Sequence, residues 1–277
     1  MNLEKQMSRN AQRAECNRTY MRVAVLSSGG KDSTYAVWWA LLNGWDVSMI
    51  VTVRVDADDS MMFQREGTAI AGVQAAAAGI PWLPIIDTNT EGIESLEQGI
   101  EPFVRGSVWP RSTLWSQSDN MNANWPKWSC NKPVLARPGK PIDAIVSGAL
   151  RSDYQRVRLD MMANRLGIAS FSPLWHMPPH IHMNNLIQSN FDVRFTAVSA
   201  EGIDSTWLDR RLDDDCISDL KRLEHEYGIN IDGEGGEFET TVLSAPWFDS
   251  LEWETNIQWE KNRGSVEIID VWESNYP

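Results

Sequence analysis

The chain has 277 residues, enough for a substantial core and for one large domain or two modest ones. Its 25 Lys and Arg face 38 Asp and Glu, a formal charge of −13 without any basic run, and such a surface argues against a general nucleic-acid binder. Cys16, Cys130 and Cys216 are too scattered for a metal or redox pair and odd in number for a disulfide framework. That cysteine pattern leads us to expect a reducing, cytoplasmic setting, and no apolar run is long enough to span a membrane.

Residues 1–20 are polar and lack the apolar stretch of a signal peptide, so they read as an extension before the first element, with Met21 itself a candidate start. Residues 22–26 form a short apolar run suited to a strand buried on both faces. A helix follows, with Gly44 as its stop, then a strand over 46–55 and a loop carrying Asp56, Asp58 and Asp59. An Ala-rich helix ended by Gly79, the strand PWLPIID and a helix from near Glu91 continue the alternation. It breaks over about 105–141, where Trp109, Trp115, Trp125 and Trp128 lie among Ser, Asn and Pro without period; an ordered surface insertion with locally packed tryptophans is expected. The alternation resumes with a buried strand over 142–150, the helix SDYQRVRLDMMANRLG and the strand IASFSPLW. Such strand–helix units predict an α/β fold, a doubly wound, Rossmann-like parallel sheet with ligands at the carboxyl ends of its strands, over residues 21–175. From about His176 the pattern changes to FDVRFTAVSAEG and a terminal hairpin, predicting a smaller α+β domain over 176–277.

Three stretches carry chemistry. Between the first strand and helix, SGGKDS (28–33) aims unpaired amides and the positive end of a helix dipole at one point, a ready anion site. Ser28 and Ser33 add hydroxyls, Gly29 and Gly30 allow close approach, Lys31 adds charge, and Asp32 suits orienting the loop or holding magnesium. Adjacent glycines and an Asp after the Lys exclude the usual nucleotide P-loop pattern, while a plain glycine turn with a helix cap remains the alternative. In GALRSDYQRVR (148–158) the chain leaves a strand at Gly148 and enters a helix with Arg151, Arg156 and Arg158, able to neutralise phosphate or carboxylate unless they form a solvated face. GEGGEFET (233–240) gathers Glu234, Glu237 and Glu239, whose repulsion is costly without a cation or a proton-transfer role; an exposed acidic loop is the alternative. His176, His180 and His182 lie close together, but without a Cys or carboxylate at ligand spacing they are not assigned to a metal.

SGGKDS resembles the SGGxDS signature of the PP-loop ATP pyrophosphatases, which cleave ATP between the α- and β-phosphates. Together with MFQREGTAIAGVQAAAAGIP, SGALRSDYQRVRLDMMANRLGIASFSPLW, VSAEGIDSTWLDRRLD and YGINIDGEGGEFETTVLSAPWF, it is similar in order and spacing to one family of that superfamily. The family is the diphthine–ammonia ligases, which finish diphthamide on translation elongation factor 2. The likeness covers most of residues 21–248, residues 234–240 being its most specific part; the segment 105–141 looks inserted and the leader is extra.

The resemblance implies ATP and Mg2+, an acyl-adenylate of the diphthine carboxylate, and release of AMP and pyrophosphate as ammonium becomes the amide. Ser28, Gly29, Gly30, Lys31, Ser33 and Gly148 would bind the nucleotide and Asp32 the magnesium. Arg151 and Arg156 would meet charge at the α-phosphate or the carboxylate, and Glu237 or Glu239 would take the ammonium proton. Tyr154, Gln155, Glu234, Gly235, Gly236 and Phe238 fall in the expected substrate site, where carboxylates or the Phe238 face suit a trimethylammonium group. Elongation factor 2 and ammonium are the implied partners, without direct nucleic-acid or membrane binding, and no cysteine sits in a glycine-rich turn as a glutaminase nucleophile would. A tRNA-modifying PP-loop enzyme would usually bring a basic surface or paired cysteines; retention of Lys31, Asp32 and the glutamate cluster argues against a non-catalytic nucleotide binder.

Overall fold

The computed structural model describes residues 20–55, 65–87, 93–104 and 125–274. The expected leader up to residue 19, Asp56, Asp58, Asp59, Trp109 and Trp115 lie outside the described residues. Five short strands, β1 (Arg22–Leu26), β2 (Asp46–Val55), β3 (Trp82–Asp87), β4 (Ala144–Val146) and β5 (Ala169–Phe171), form one sheet in the order β3-β2-β1-β4-β5. Every neighbouring pair is parallel. Helices α1 (Lys31–Leu42), α2 (Arg65–Ala77), α3 (Ile93–Ile100) and α4 (Asp153–Leu166) cover both faces, as strands apolar on both sides require. On one face Ala36, Val37 and Ala40 of α1 pack with Val23, Val25 and Ile50. On the other, Leu96 and Ile100 of α3 and Leu159 and Met162 of α4 pack with Ala24, Met49 and Ile85. The fold is thus a doubly wound α/β sheet.

Two strands are shorter than their apolar runs. The run 142–150 pairs only over Ala144–Val146, because at Gly148 the chain leaves the sheet to press against the first turn of α1. Past Phe171 the backbone closes on itself through the amides of Trp175 and Met177, which donate to the carbonyls of Ser172 and Leu174.

A second, antiparallel sheet contains β6 (Asp192–Val198), β7 (Phe238–Ser244), β8 (Leu251–Glu260) and β9 (Arg263–Glu273) in the order β7-β6-β9-β8. Helices α5 (Pro179–Gln188) and α6 (Asp214–Tyr227) belong with it. The Asp213 carboxylate starts α6 by accepting the Cys216 amide at 2.8 Å. Met183 and Leu186 of α5 and Ile217 and Leu220 of α6 share a core with Val193, Phe195, Phe238 and Val242. Tyr35 of α1 and Ile70 and Val73 of α2 enter that same core. Helices α1 and α2 therefore lie between the two sheets, each helix using one face for either sheet.

The described end of the tryptophan-bearing segment packs outward from itself, beyond the local packing expected of it. Trp125 stands edge-on to Trp128 but also to Trp82 of β3, with ring centroids 6.5 and 5.7 Å away. The Trp82 amide donates to the Val134 carbonyl and the Ala136 amide to the Trp82 carbonyl, both at 2.8 Å. Ser129 donates its amide and hydroxyl to Asp270 of β9, both at 2.6 Å. Among the described residues no helix is long and apolar enough to cross a membrane.

Candidate active site

Strands β1 and β4 are neighbours at the point where the strand order reverses, so the loops leaving their carboxyl ends flank one crevice. Out of β1, Gly29 takes a φ of +86°, and a Cβ there would overlap Cγ2 of Ile70. The amides of Ser28 and Gly29 turn back to the hydroxyls of Ser33 and Ser27 at 3.3 and 3.2 Å. The Lys31 amide donates to Thr240 Oγ1 of β7 at 3.2 Å. Among the described residues the amides of Gly30, Asp32 and Ser33 have no acceptor, so they and the positive end of α1 leave donors of the kind an anion would need.

The charged pair of this loop is held from below. Lys31 is buried, its Nζ 2.9 Å from Asp32 Oδ2 and 5.8 Å from the centre of the Phe238 ring. Asp32 Oδ1 lies 2.7 Å from Nε2 of His182, a fully buried residue of α5. Burial alone would raise the Asp32 carboxyl, but the Lys31 ammonium and the His182 contact outweigh it and hold the group below the usual carboxylate range. Asp32 stays ionised, with 27% of its side chain open to the crevice.

The opposite wall comes from the end of β4 and from the turn before β7. Gly148 packs so closely on α1 that a Cβ would sit 2.7 Å from the Asp32 carbonyl carbon and the Ser33 nitrogen. Three residues on, the Arg151 guanidinium grips both oxygens of the fully buried Asp232 at 2.7 Å. The Arg151 amide donates to Glu234 Oε1 at 3.1 Å, while Nη1 of Arg151 is buried without a partner. Burial raises the Glu234 carboxyl above its usual range against the pull of Arg151, and the charges of Asp32 and Asp232 add to the rise. Glu234 is thus within electrostatic reach of Asp32.

Of the other residues expected in the site, most are engaged elsewhere, and Glu239 is not. Glu237 folds back on its own turn, Oε1 accepting the amide and side chain of Asn230 at 2.8 and 2.7 Å. Burial acts to raise Glu237, but these donors and the amides of Glu237 and Gly235 prevail and hold it below its usual range, making it a weak base. Glu239, on β7, is reached by solvent, and burial raises its carboxyl. Phe238 is buried edge-on against Phe195, so its ring is not available to a substrate cation. Arg156 pairs along its own helix with Asp160 and Asp153 at 3.1 and 3.6 Å and stacks on Trp175. Tyr154 is exposed beneath the Arg158 guanidinium, and the backbone amide of Gln155 donates to the hydroxyl of Ser152, which caps α4. Gly235 and Gly236 shape the turn: the Gly236 amide closes on the Gly233 carbonyl, and its own carbonyl accepts the Ser199 hydroxyl.

Four residues of the site were not singled out from sequence for these roles: Gln74, His182, Asp232 and Thr240. Gln74 is buried in α2, its Nε2 donating to the carbonyls of Gly29 and Val242 at 3.0 and 2.7 Å. With the Val242 amide on the Gly29 carbonyl at 3.1 Å, it ties the loop after β1 to β7. A lone Gln in TAIAGVQAAAAGI was the available signal, since an apolar helix keeps a buried amide only where it has partners.

Comparison with known proteins bears on most of the chain. Residues 21–101 match the diphthamide synthase N-terminal domain and residues 178–272 the diphthamide synthase C-terminal domain. A diphthine–ammonia ligase of Rattus norvegicus is 29% identical over 82% of this chain and 80% of its own. That of Homo sapiens is 27% identical over the same shares, and that of Saccharomyces cerevisiae 26% over 91% of this chain and 35% of its own.

Proposed function

The chain belongs to the diphthamide synthase family, and from that premise we propose that it is a diphthine–ammonia ligase, amidating the diphthine carboxylate of translation elongation factor 2 at the expense of ATP, in the cytoplasm. What supports the reading is the convergence of two loops: the open amides beside Lys31 and Asp32, and the Arg151, Asp232 and Glu234 cluster that follows Gly148, which packs against the first turn of α1.

A carboxylate cannot acylate ammonia directly, because oxide would have to leave. In the first step a diphthine carboxylate oxygen bonds to the α-phosphorus of ATP and the bond to the bridging oxygen breaks, releasing pyrophosphate. The open amides of Gly30, Asp32 and Ser33 would bind that pyrophosphate, with Lys31 swinging part of its charge from Asp32 toward it. The unpartnered Nη1 of Arg151 is a fixed donor for the α-phosphate or the substrate carboxylate. In the second step ammonia attacks the acyl carbon and AMP leaves. Glu234, raised by burial and held beside Arg151, is our choice of base for the ammonium proton, with Glu239, likewise raised by burial, the second candidate, whereas Glu237 closes its turn.

Magnesium fits this donor set. Among the described residues no three His, Cys, Asp or Glu are gathered into a metal cage, and magnesium with a nucleotide needs only one or two carboxylates beside phosphates and water. Asp32 is ionised and keeps a lone pair on each oxygen beyond those facing Lys31 and His182. Bound there, the ion would neutralise charge on the departing pyrophosphate.

Mass analysis of diphthine-bearing elongation factor 2, after incubation with the protein, ATP, magnesium and ammonium, tests the proposal. Conversion of carboxylate to amide with equal AMP and pyrophosphate is expected. AMP formation that ignores the factor, or none at all, would refute it.

A further inference from the structure

His182 has no place in the chemistry above, yet it is buried against the charged pair of the loop after β1. It is fully buried on α5, edge-on to Tyr35 of α1 with ring centroids 5.3 Å apart. Nε2 lies 2.7 Å from Asp32 Oδ1, and Nδ1 is buried without a partner. A proton on Nδ1 would leave a buried N–H unsatisfied, so the geometry fits the tautomer in which Nε2 carries the hydrogen and donates it to Asp32. Lys31 binds the other oxygen of the same carboxylate at 2.9 Å. A carboxylate with one donor on each oxygen cannot rotate about its last bond without losing both. Lys31 is itself mobile in the proposed reaction, since its charge is needed by the phosphates. His182 has no such second task and is locked by packing.

We propose that His182 is a positioning residue: it fixes the plane of the Asp32 carboxylate so that its free lone pairs face a divalent cation carried in with the polyphosphate. The role rests on the proposed use of ATP. It places the helix that opens the second half of the chain directly behind the phosphate loop of the first.

Titration calorimetry of ATP, with magnesium and again with EDTA, is the test, on wild type, His182→Leu and His182→Gln, each checked for native near-ultraviolet circular dichroism. Leu fills the space without a donor; Gln restores a donor near the position of Nε2. Wild type is expected to bind ATP more tightly with magnesium. His182→Leu should keep the EDTA affinity and lose about tenfold or more of the magnesium-dependent gain, as residues supporting a metal ligand do. His182→Gln should recover most of it. A full magnesium gain in His182→Leu overturns the positioning role alone. Equal loss in both variants, with and without magnesium, reduces His182 to packing and also overturns it. Wild type that binds no ATP under either condition overturns the proposed function, and this role with it.

Discussion

The two glycine-rich turns of the crevice, residues 27–33 and 233–239, use similar materials to opposite ends. In the first the side chains of Ser27 and Ser33 brace the backbone, which leaves amides of the helix start unpaired. In the second the amide and side chain of Asn230 hold one oxygen of a carboxylate, Glu237, and the turn offers another side chain, Glu234. One turn presents donors for an anion and the other an acceptor for a proton. Glycine content and charge do not distinguish them; what does is which groups the turn consumes internally.

The strongest way to break this contrast is at the first turn. Lys31→Ala and Asp32→Asn should lower ATP cleavage by about a thousandfold, because charge stabilisation at a prepared site is the largest contribution to such a step. Pyrophosphate release measured on folded variants checks it, and wild-type rates would remove the loop from catalysis. Next comes the clamp between the turns. Arg151→Ala leaves the buried Asp232 carboxylate unpaired and should destabilise the fold by about 3–5 kcal/mol, read from denaturant midpoints. Adding Asp232→Asn should recover much of that stability while activity stays lost.

The second turn separates its own two glutamates. Glu234→Gln should slow amide formation by about a hundredfold while adenylation persists, as loss of a general base predicts. Glu237→Gln keeps an acceptor for Asn230 and should leave both steps unchanged. Quantifying pyrophosphate and amide separately distinguishes the two, and the reverse result would exchange their roles. The smallest effect is in acid. Because Asp32 is more acidic in the folded chain, its ionised form contributes stability above its unfolded value, and that contribution fades as pH falls through the lower folded value. The urea midpoint of wild type should therefore drop more steeply than that of Asp32→Asn below about pH 4.

Local pattern determined much of this protein. The run 22–26, its abrupt glycines and the helix after them were readable because a buried strand, a positive-φ turn and a helix start each leave a short-range mark. So were β2, the alternation that makes the sheet parallel, and the β8–β9 hairpin. SGGKDS, Arg151 and the glutamate turn were legible as chemistry because clustered charge on glycines is unusual without a use. What sequence left open was which glutamate faces the phosphate loop and what stands behind it. The sequence offered Glu237 or Glu239 as base; the fold turns Glu237 into its own loop, sets Glu234 on Arg151 and leaves the Glu239 carboxylate without a partner among the described residues. It offered Phe238 as an aromatic face; β7 buries that ring against Phe195 beneath Lys31. His182, Thr240 and Gln74 meet the loop from 150, 209 and 45 positions away. Such contacts follow from packing α1 and α2 between two sheets, and no local propensity records them. A side chain's type states what it can bond; only the assembled core decides which partner is within reach.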